Sequence, residues 1–280
     1  MICPICGKKF LIKKARDEFE EYFKGEYDYY ESFEERFCAE CAIKRMSQGI
    51  NAEQSDLNED AKSFFESFDE NSEEDADRMV SILDEIYDKA LNGIPYVSES
   101  VEELASDYLL KNNDIEKAAK SLINNQIAKC GTSGFLTGLG GVITMPVTLP
   151  ANLTSVWYVQ MRMIASVAYI GGFDIHSDQV QTMTYVCLTG TGAADILKKS
   201  GIEFAEKAAN AGIKKIPGKV CVAINKKVGF RFITKFGEKG VINLGKLVPV
   251  VGGVVSGITD LSSTKIIANN AYNTFIKAAE

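Results

Sequence analysis

Four of the seven cysteines stand as two C-x-x-C pairs, Cys3-Pro4-Ile5-Cys6 and Cys38-Ala39-Glu40-Cys41. One such pair supplies two thiolates from a single tight turn, and two pairs complete the tetrahedron that Zn2+ prefers. Pro4 stiffens the first turn and Gly7 permits the tight backbone after its second ligand. Four sulfur ligands leave no open position, so the expected site is structural rather than catalytic. No basic n-region and apolar h-region precede Cys3, which predicts a reducing compartment, where paired cysteines indicate metal before disulfide. Cys130, Cys187 and Cys221 are isolated in apolar helical context and are expected to be ordinary buried residues.

The ligands must be positioned by what surrounds them. Cys41-Ala42-Ile43-Lys44-Arg45-Met46 opens a predicted helix, whose exposed N–H groups and dipole stabilise a thiolate. The arrangement resembles a treble-clef or zinc-ribbon module, although the 31 residues between Cys6 and Cys38 imply an insertion. That insertion is acidic and aromatic, with nine acids between Asp17 and Glu35. Phosphates would be repelled, so a protein is the expected partner of this head and nucleic acid is not favoured. Lys8, Lys9, Lys13, Lys14 and Arg16 form a small basic patch beside the first pair.

Charge divides the chain. Residues 1–100 carry 25 acids and 12 bases, a net of −13, whereas residues 101–280 carry 13 acids and 19 bases, a net of +6. The expected organisation is a four-cysteine module over 1–50, an acidic linker over 51–77 with a short helix around Phe64, Phe65 and Phe68, and a helical domain over 78–280. Periodicity predicts a helix from about Glu74, with Met79, Ile82, Leu83, Ile86 and Ala90 on one face and Gly93 ending it. Ser100 and Glu103 make a capping box for the next helix, and Asn113 or Asp114 caps another. Apolar helical patterns recur near 179–196 and 257–276. Short runs such as Leu247–Val251 could be strands, but regular strand spacing is missing, and the predicted fold class is all-α.

Residues 130–161 contain no charge, and Arg162 is the only one before Asp174. A transmembrane hairpin, buried helices of a soluble bundle, and an element that engages lipid conditionally all fit that composition. On a helical wheel over 151–171, Asn152, Ser155, Tyr158, Arg162, Ser166 and Tyr169 form one polar stripe. Such a stripe suits a helix with one polar neighbour, not one surrounded by lipid, and Arg162 is costly at a bilayer centre. Asp260, the other charge embedded in an apolar glycine-rich helix, is the expected ion-pair partner of Arg162. The basic run 198–239, including Lys198, Lys199, Lys214, Lys215, Lys226 and Lys227, suits an anionic membrane surface, each cation contributing about 1 kcal/mol. A solvated helix face that balances the acidic head is the plainer account of the same run.

Assembled catalytic chemistry is missing. His176 is the sole histidine, in a loop where Ser177 is expected to cap a helix. There is no G-x-S-x-G elbow and no G-x-x-x-x-G-K-[ST] loop. Gly190-Thr191-Gly192 lacks the strand and third glycine of a dinucleotide site, so an enzyme is not expected.

Gly134-Phe-Leu-Thr-Gly-Leu-Gly-Gly141, Pro146-Val-Thr-Leu-Pro150, Asn152-Leu-Thr and Gln160-Met-Arg162-Met-Ile-Ala165 resemble the EcsC protein family. So does Lys246-Leu-Val-Pro249-Val-Val-Gly252-Gly253, followed by Asp260 and Thr264. The resemblance covers about residues 85–280 and leaves out the cysteine head. Asn152 stands where the family pattern leads one to expect aspartate. The resemblance implies a bacterial, helical protein on the cytoplasmic side of the membrane, linked to regulation of ABC transporters and secretion. Together these observations lead to a non-enzymatic, membrane-associated adaptor or regulator, cytoplasmic and peripheral at the inner membrane. The alternative is a soluble interaction module of a bacterial conflict or phage-defence system.

Overall fold

The computed structural model describes residues 1–22, 28–33, 35–46, 63–130, 149, 151–190, 212–236 and 257–277. Ten helices are referred to below: α1 (Ile12–Tyr22), α2 (Tyr29–Ser32), α3 (39–46), α4 (Glu73–Asn92), α5 (Val101–Lys111), α6 (Ile115–Cys130), α7 (Ala151–Ile170), α8 (Asp178–Leu188), α9 (Gly218–Phe236) and α10 (Gly257–Phe275). Among the described residues there is no strand, only two isolated bridges, Ile2 with Lys9 and Ile94 with Ser98. The fold is all-α. Leu247–Val251 lies outside the described residues.

The helix boundaries follow local chemistry. Ser72 caps α4 by accepting from the Asp75 N–H, and Glu73, Glu74 and Asp75 oppose the positive end of its dipole. Gly93 ends it at φ +75°, where a side chain would strike the carbonyls of Ser98 and Glu99. Ser100 and Glu103 form the complete capping box of α5. The Asp114 carboxylate accepts from the Lys117 N–H at 2.8 Å at the start of α6, and Ser177 caps α8.

Two separate hydrophobic cores result. The smaller contains Cys3, Phe19, Tyr29, Phe33, Phe37, Cys38 and Ala42. The larger spans Phe64 to Ile276 and is centred on α7, from Leu153 to Ala168 buried on every face. Helices α4, α5, α6, α8 and α10 all pack on α7. Its polar stripe is therefore not a solvent face. Tyr158, Arg162 and Ser166 are as buried as Trp157, Met161 and Ile164, and the polar neighbour is the 93–100 connection between α4 and α5. Among the described residues, no helix is long and apolar enough to cross a membrane.

Part of the segment expected as an acidic linker packs on the body. Phe64, Phe65 and Phe68 sit in the larger core, and Phe65 meets Trp157 edge-on with ring centroids 6.4 Å apart. The body thus begins by Phe64, ahead of the boundary expected at 78. Acidic residues around these rings dominate the composition, but three aromatics within five positions bury too much apolar area to stay in water.

Candidate metal centre

The first cysteine pair is shaped by a short knuckle. The Cys3 N–H donates to the Lys8 carbonyl at 2.9 Å, and the Gly7 N–H donates to the Cys3 carbonyl at 2.9 Å. Gly7 has φ +71°, which a Cβ would oppose. The second pair stands at the start of α3, where the Ala42 N–H donates to the Cys38 carbonyl at 2.9 Å. The aromatic insertion builds the wall behind it. Tyr29 bonds both ways to Phe37, donating its hydroxyl to the Phe37 carbonyl and accepting from the Phe37 N–H at 2.9 Å. Phe19, Tyr29, Phe33 and Phe37 interlock edge-on. The insertion between the cysteine pairs is thus the core of the head.

The sulfur atoms of Cys3, Cys6, Cys38 and Cys41 all lie within 4.8 Å of one another, and those of Cys6 and Cys38 are 3.6 Å apart. A tetrahedron with metal–sulfur bonds of about 2.3 Å has sulfur–sulfur edges of about 3.8 Å, so the cluster has the dimensions of a four-thiolate metal site. The electrostatics point the same way. Burial pushes the Cys3 thiol up, but backbone N–H groups near Cys38, Cys6 and Ile5 outweigh it and bring it down to about 6. Burial and the neighbouring thiols push Cys41 up to about 12. Backbone donors thus favour a thiolate at Cys3, and burial disfavours one at Cys41. These residues can hold a metal ion.

Among the described side chains, no other cysteine joins the cluster. Cys187 and Cys221 are buried free thiols, and burial pushes Cys187 up to about 12. The side chain of Cys130 lies outside the described residues.

Arg162 is buried in the body and finds three acceptors. Its Nη1 donates to the Ala90 carbonyl and its Nη2 to the Ser100 carbonyl, each at 3.4 Å, and Nη2 lies 3.6 Å from Glu99 Oε1. Ala90 is in the last turn of α4, whose terminal carbonyls lack partners within the helix. Asp260 is on α10, with its side chain outside the described residues. Of the basic run, Lys214 and Lys215 are exposed, Lys227 is exposed on α9, and Lys226 is paired with Glu73. Lys198 and Lys199 lie outside the described residues. His176 is exposed, with Nε2 2.9 Å from Glu102 Oε1.

One polar cluster has no simple sequence signal. Asp84 Oδ1 accepts from the Tyr185 hydroxyl at 2.6 Å and from Gln181 Nε2 at 2.8 Å. Burial raises the Asp84 carboxyl above its ordinary range, the two donors opposing that shift. Gln181 and Tyr185 are spaced i, i+4 on α8, the only hint the sequence holds.

The sequence profile of the EcsC protein family matches residues 40–277, most of the chain. The chain belongs to the EcsC protein family. The match starts inside the second cysteine pair and takes in Phe64, Phe65, Phe68 and all of α4, well before residue 85, where the sequence resemblance begins. Cys3, Cys6 and Cys38 precede it. Comparisons with curated proteins and with solved structures found no match.

Proposed function

We propose that this EcsC-family protein is a non-enzymatic adaptor or regulator, held peripherally on the cytoplasmic face of the bacterial inner membrane, with a zinc-organised head that docks a protein partner. The observation that carries the reading is the separation of a four-sulfur cluster with its own aromatic core from the all-α body. Zn2+ suits a closed set of four thiolates because it has no redox chemistry and no need of an open position. When bound, it supplies charge neutralisation and a cross-link between the first knuckle and α3. Beside it lies a groove of about 700 Å³ lined by Ile2, Phe10 and Leu11 with Lys8, Lys9 and Lys14. Ile2 and Leu11 are largely exposed, an apolar surface of the kind that partners cover.

The membrane contact is assigned to Lys214, Lys215 and Lys227, together with the rest of the basic run. Co-sedimentation of the full chain with phosphatidylglycerol-containing vesicles tests it. Binding at low salt that weakens as salt rises is the expected result. No retention at low salt would leave the soluble interaction module as the better account.

A further inference from the structure

The connection between α4 and α5 ends in an apolar tip with no evident structural purpose. Ile94 and Ser98 exchange backbone hydrogen bonds of 3.0 and 2.9 Å, and the Val97 N–H donates to the Ile94 carbonyl at 3.0 Å. Pro95, Tyr96 and Val97 project from this bridge, all exposed, and Tyr96 is bare to solvent on all sides. Tyr96 also has φ +65°, the single positive φ among described non-glycine residues. Proline at the second position of a turn and a positive φ at the third is the type II pattern, which glycine or asparagine fills without strain. A tyrosine there is held in an unfavourable backbone state while contributing nothing to the core.

The base of the loop is fixed to the centre of the body. Ser98 Oγ lies 2.7 Å from the Tyr158 hydroxyl and accepts from the Ile94 N–H at 3.0 Å. Arg162 holds the Ser100 carbonyl and Glu99 just beyond it. A rigid base presenting a strained, uncharged tip is a preformed anchor.

We infer that Pro95-Tyr96-Val97 inserts into the headgroup region of a lipid bilayer, with Tyr96 as the anchor. The inference rests on the peripheral membrane reading above and names the element that enters the lipid. From Ile94 to Ser98 there is no charged residue, and tyrosine is favoured where its ring meets acyl chain and its hydroxyl meets water. The 171–177 loop joins the start of α5, which follows the tip, to the basic stretch. That loop meets the start of α5 through His176 and Glu102, and its Phe173 ring lies under the Lys214 ammonium at 5.7 Å. Of the acids that follow the tip, Glu99 lies 3.6 Å from Arg162 and Glu102 lies 2.9 Å from His176.

The full chain with Tyr96→Trp tests this on phosphatidylcholine–phosphatidylglycerol vesicles brominated near the top of the acyl chains. The native chain has one tryptophan, Trp157, which is buried in the body, so the added emission reports the tip. The expected result is a blue shift and quenching of the added tryptophan on vesicles, with native Trp157 emission unchanged. Tyr96→Gly, which keeps the turn, is expected to weaken vesicle binding roughly tenfold, the factor for losing one buried aromatic, while the thermal midpoint holds or rises. If the chain co-sediments but the added tryptophan stays unquenched, the tip is not the anchor, and its strain serves a protein contact instead. If the chain does not co-sediment at all, the membrane reading fails and this inference fails with it.

Discussion

Replacing Arg162 by Met removes a guanidinium that satisfies two backbone carbonyls and approaches one carboxylate. The Ala90 carbonyl is buried and ends α4, so it keeps neither a helical partner nor water when the donor goes. A buried acceptor left unmade costs about 1–3 kcal/mol, and bonds of 3.4 Å belong at the lower end. The Ala90 carbonyl therefore costs about 1–2 kcal/mol, the part-buried Ser100 carbonyl adds little because it keeps the Leu104 N–H at 3.1 Å, and the lost interaction at the negative end of α4 adds a few tenths. The Glu99 side chain is 52% exposed, so its own loss is small, within about 1 kcal/mol. The structure thus predicts an asymmetry: Arg162→Met destabilises strongly, Glu99→Gln weakly, and Arg162→Lys recovers little because one ammonium cannot fork to two carbonyls. Urea unfolding followed through Trp157 measures all three, since that ring reports the larger core. Equal losses for Arg162→Met and Glu99→Gln would refute the carbonyl argument. A double-mutant cycle with Asp260→Asn decides the counter-ion, because a coupling above that of Glu99 would place it on α10.

Further outcomes follow from the same contacts. Asp84→Asn keeps an oxygen that accepts from Tyr185 and Gln181 but removes a charge that burial disfavours. Because the folded-state pKa of Asp84 is raised, its contribution is fully present below the unfolded value near 3.9 and is lost as pH rises through the folded one. The variant should accordingly gain thermal stability over the native chain on going from pH 3.5 to pH 7, and a pH-independent difference would contradict this. Gly229→Ala should cost about 1–3 kcal/mol, because a Cβ there meets the Ala76 carbonyl of α4 inside van der Waals contact; an unchanged urea midpoint would show that α9 can move off α4. Ser100→Ala should cost about 1 kcal/mol, and the same urea titration checks it.

The parts of this molecule that could be read from sequence are those fixed by neighbours along the chain. The caps at Ser100 and Ser177, the buried face of α4 and its stop at Gly93 depend on a few adjacent residues. The cysteine cluster was legible because a C-x-x-C pair fixes its own geometry, and two pairs have few other ways to coexist. Contacts between distant segments were not. Phe64 and Phe65 sit among acids, so local composition suggested a linker, while Phe65 packs on Trp157 almost a hundred positions away. The polar stripe of α7 had the expected spacing, but that spacing cannot distinguish water from the 93–100 connection as its neighbour. Arg162 illustrates the same limit, because the carbonyls of Ala90 and Ser100 that it meets carry no sequence signature.

Metal content of the purified full chain, measured beside the unfolding of its body, tests the account most directly. The native protein should contain one zinc per chain. Cys38→Ser should lose it while the Trp157 transition stays in place, because the two hydrophobic cores share no residue. A native chain without zinc, or a Cys38→Ser chain that keeps its full complement, would contradict the four-thiolate site. A Trp157 transition that falls together with the metal would contradict the separation of head from body.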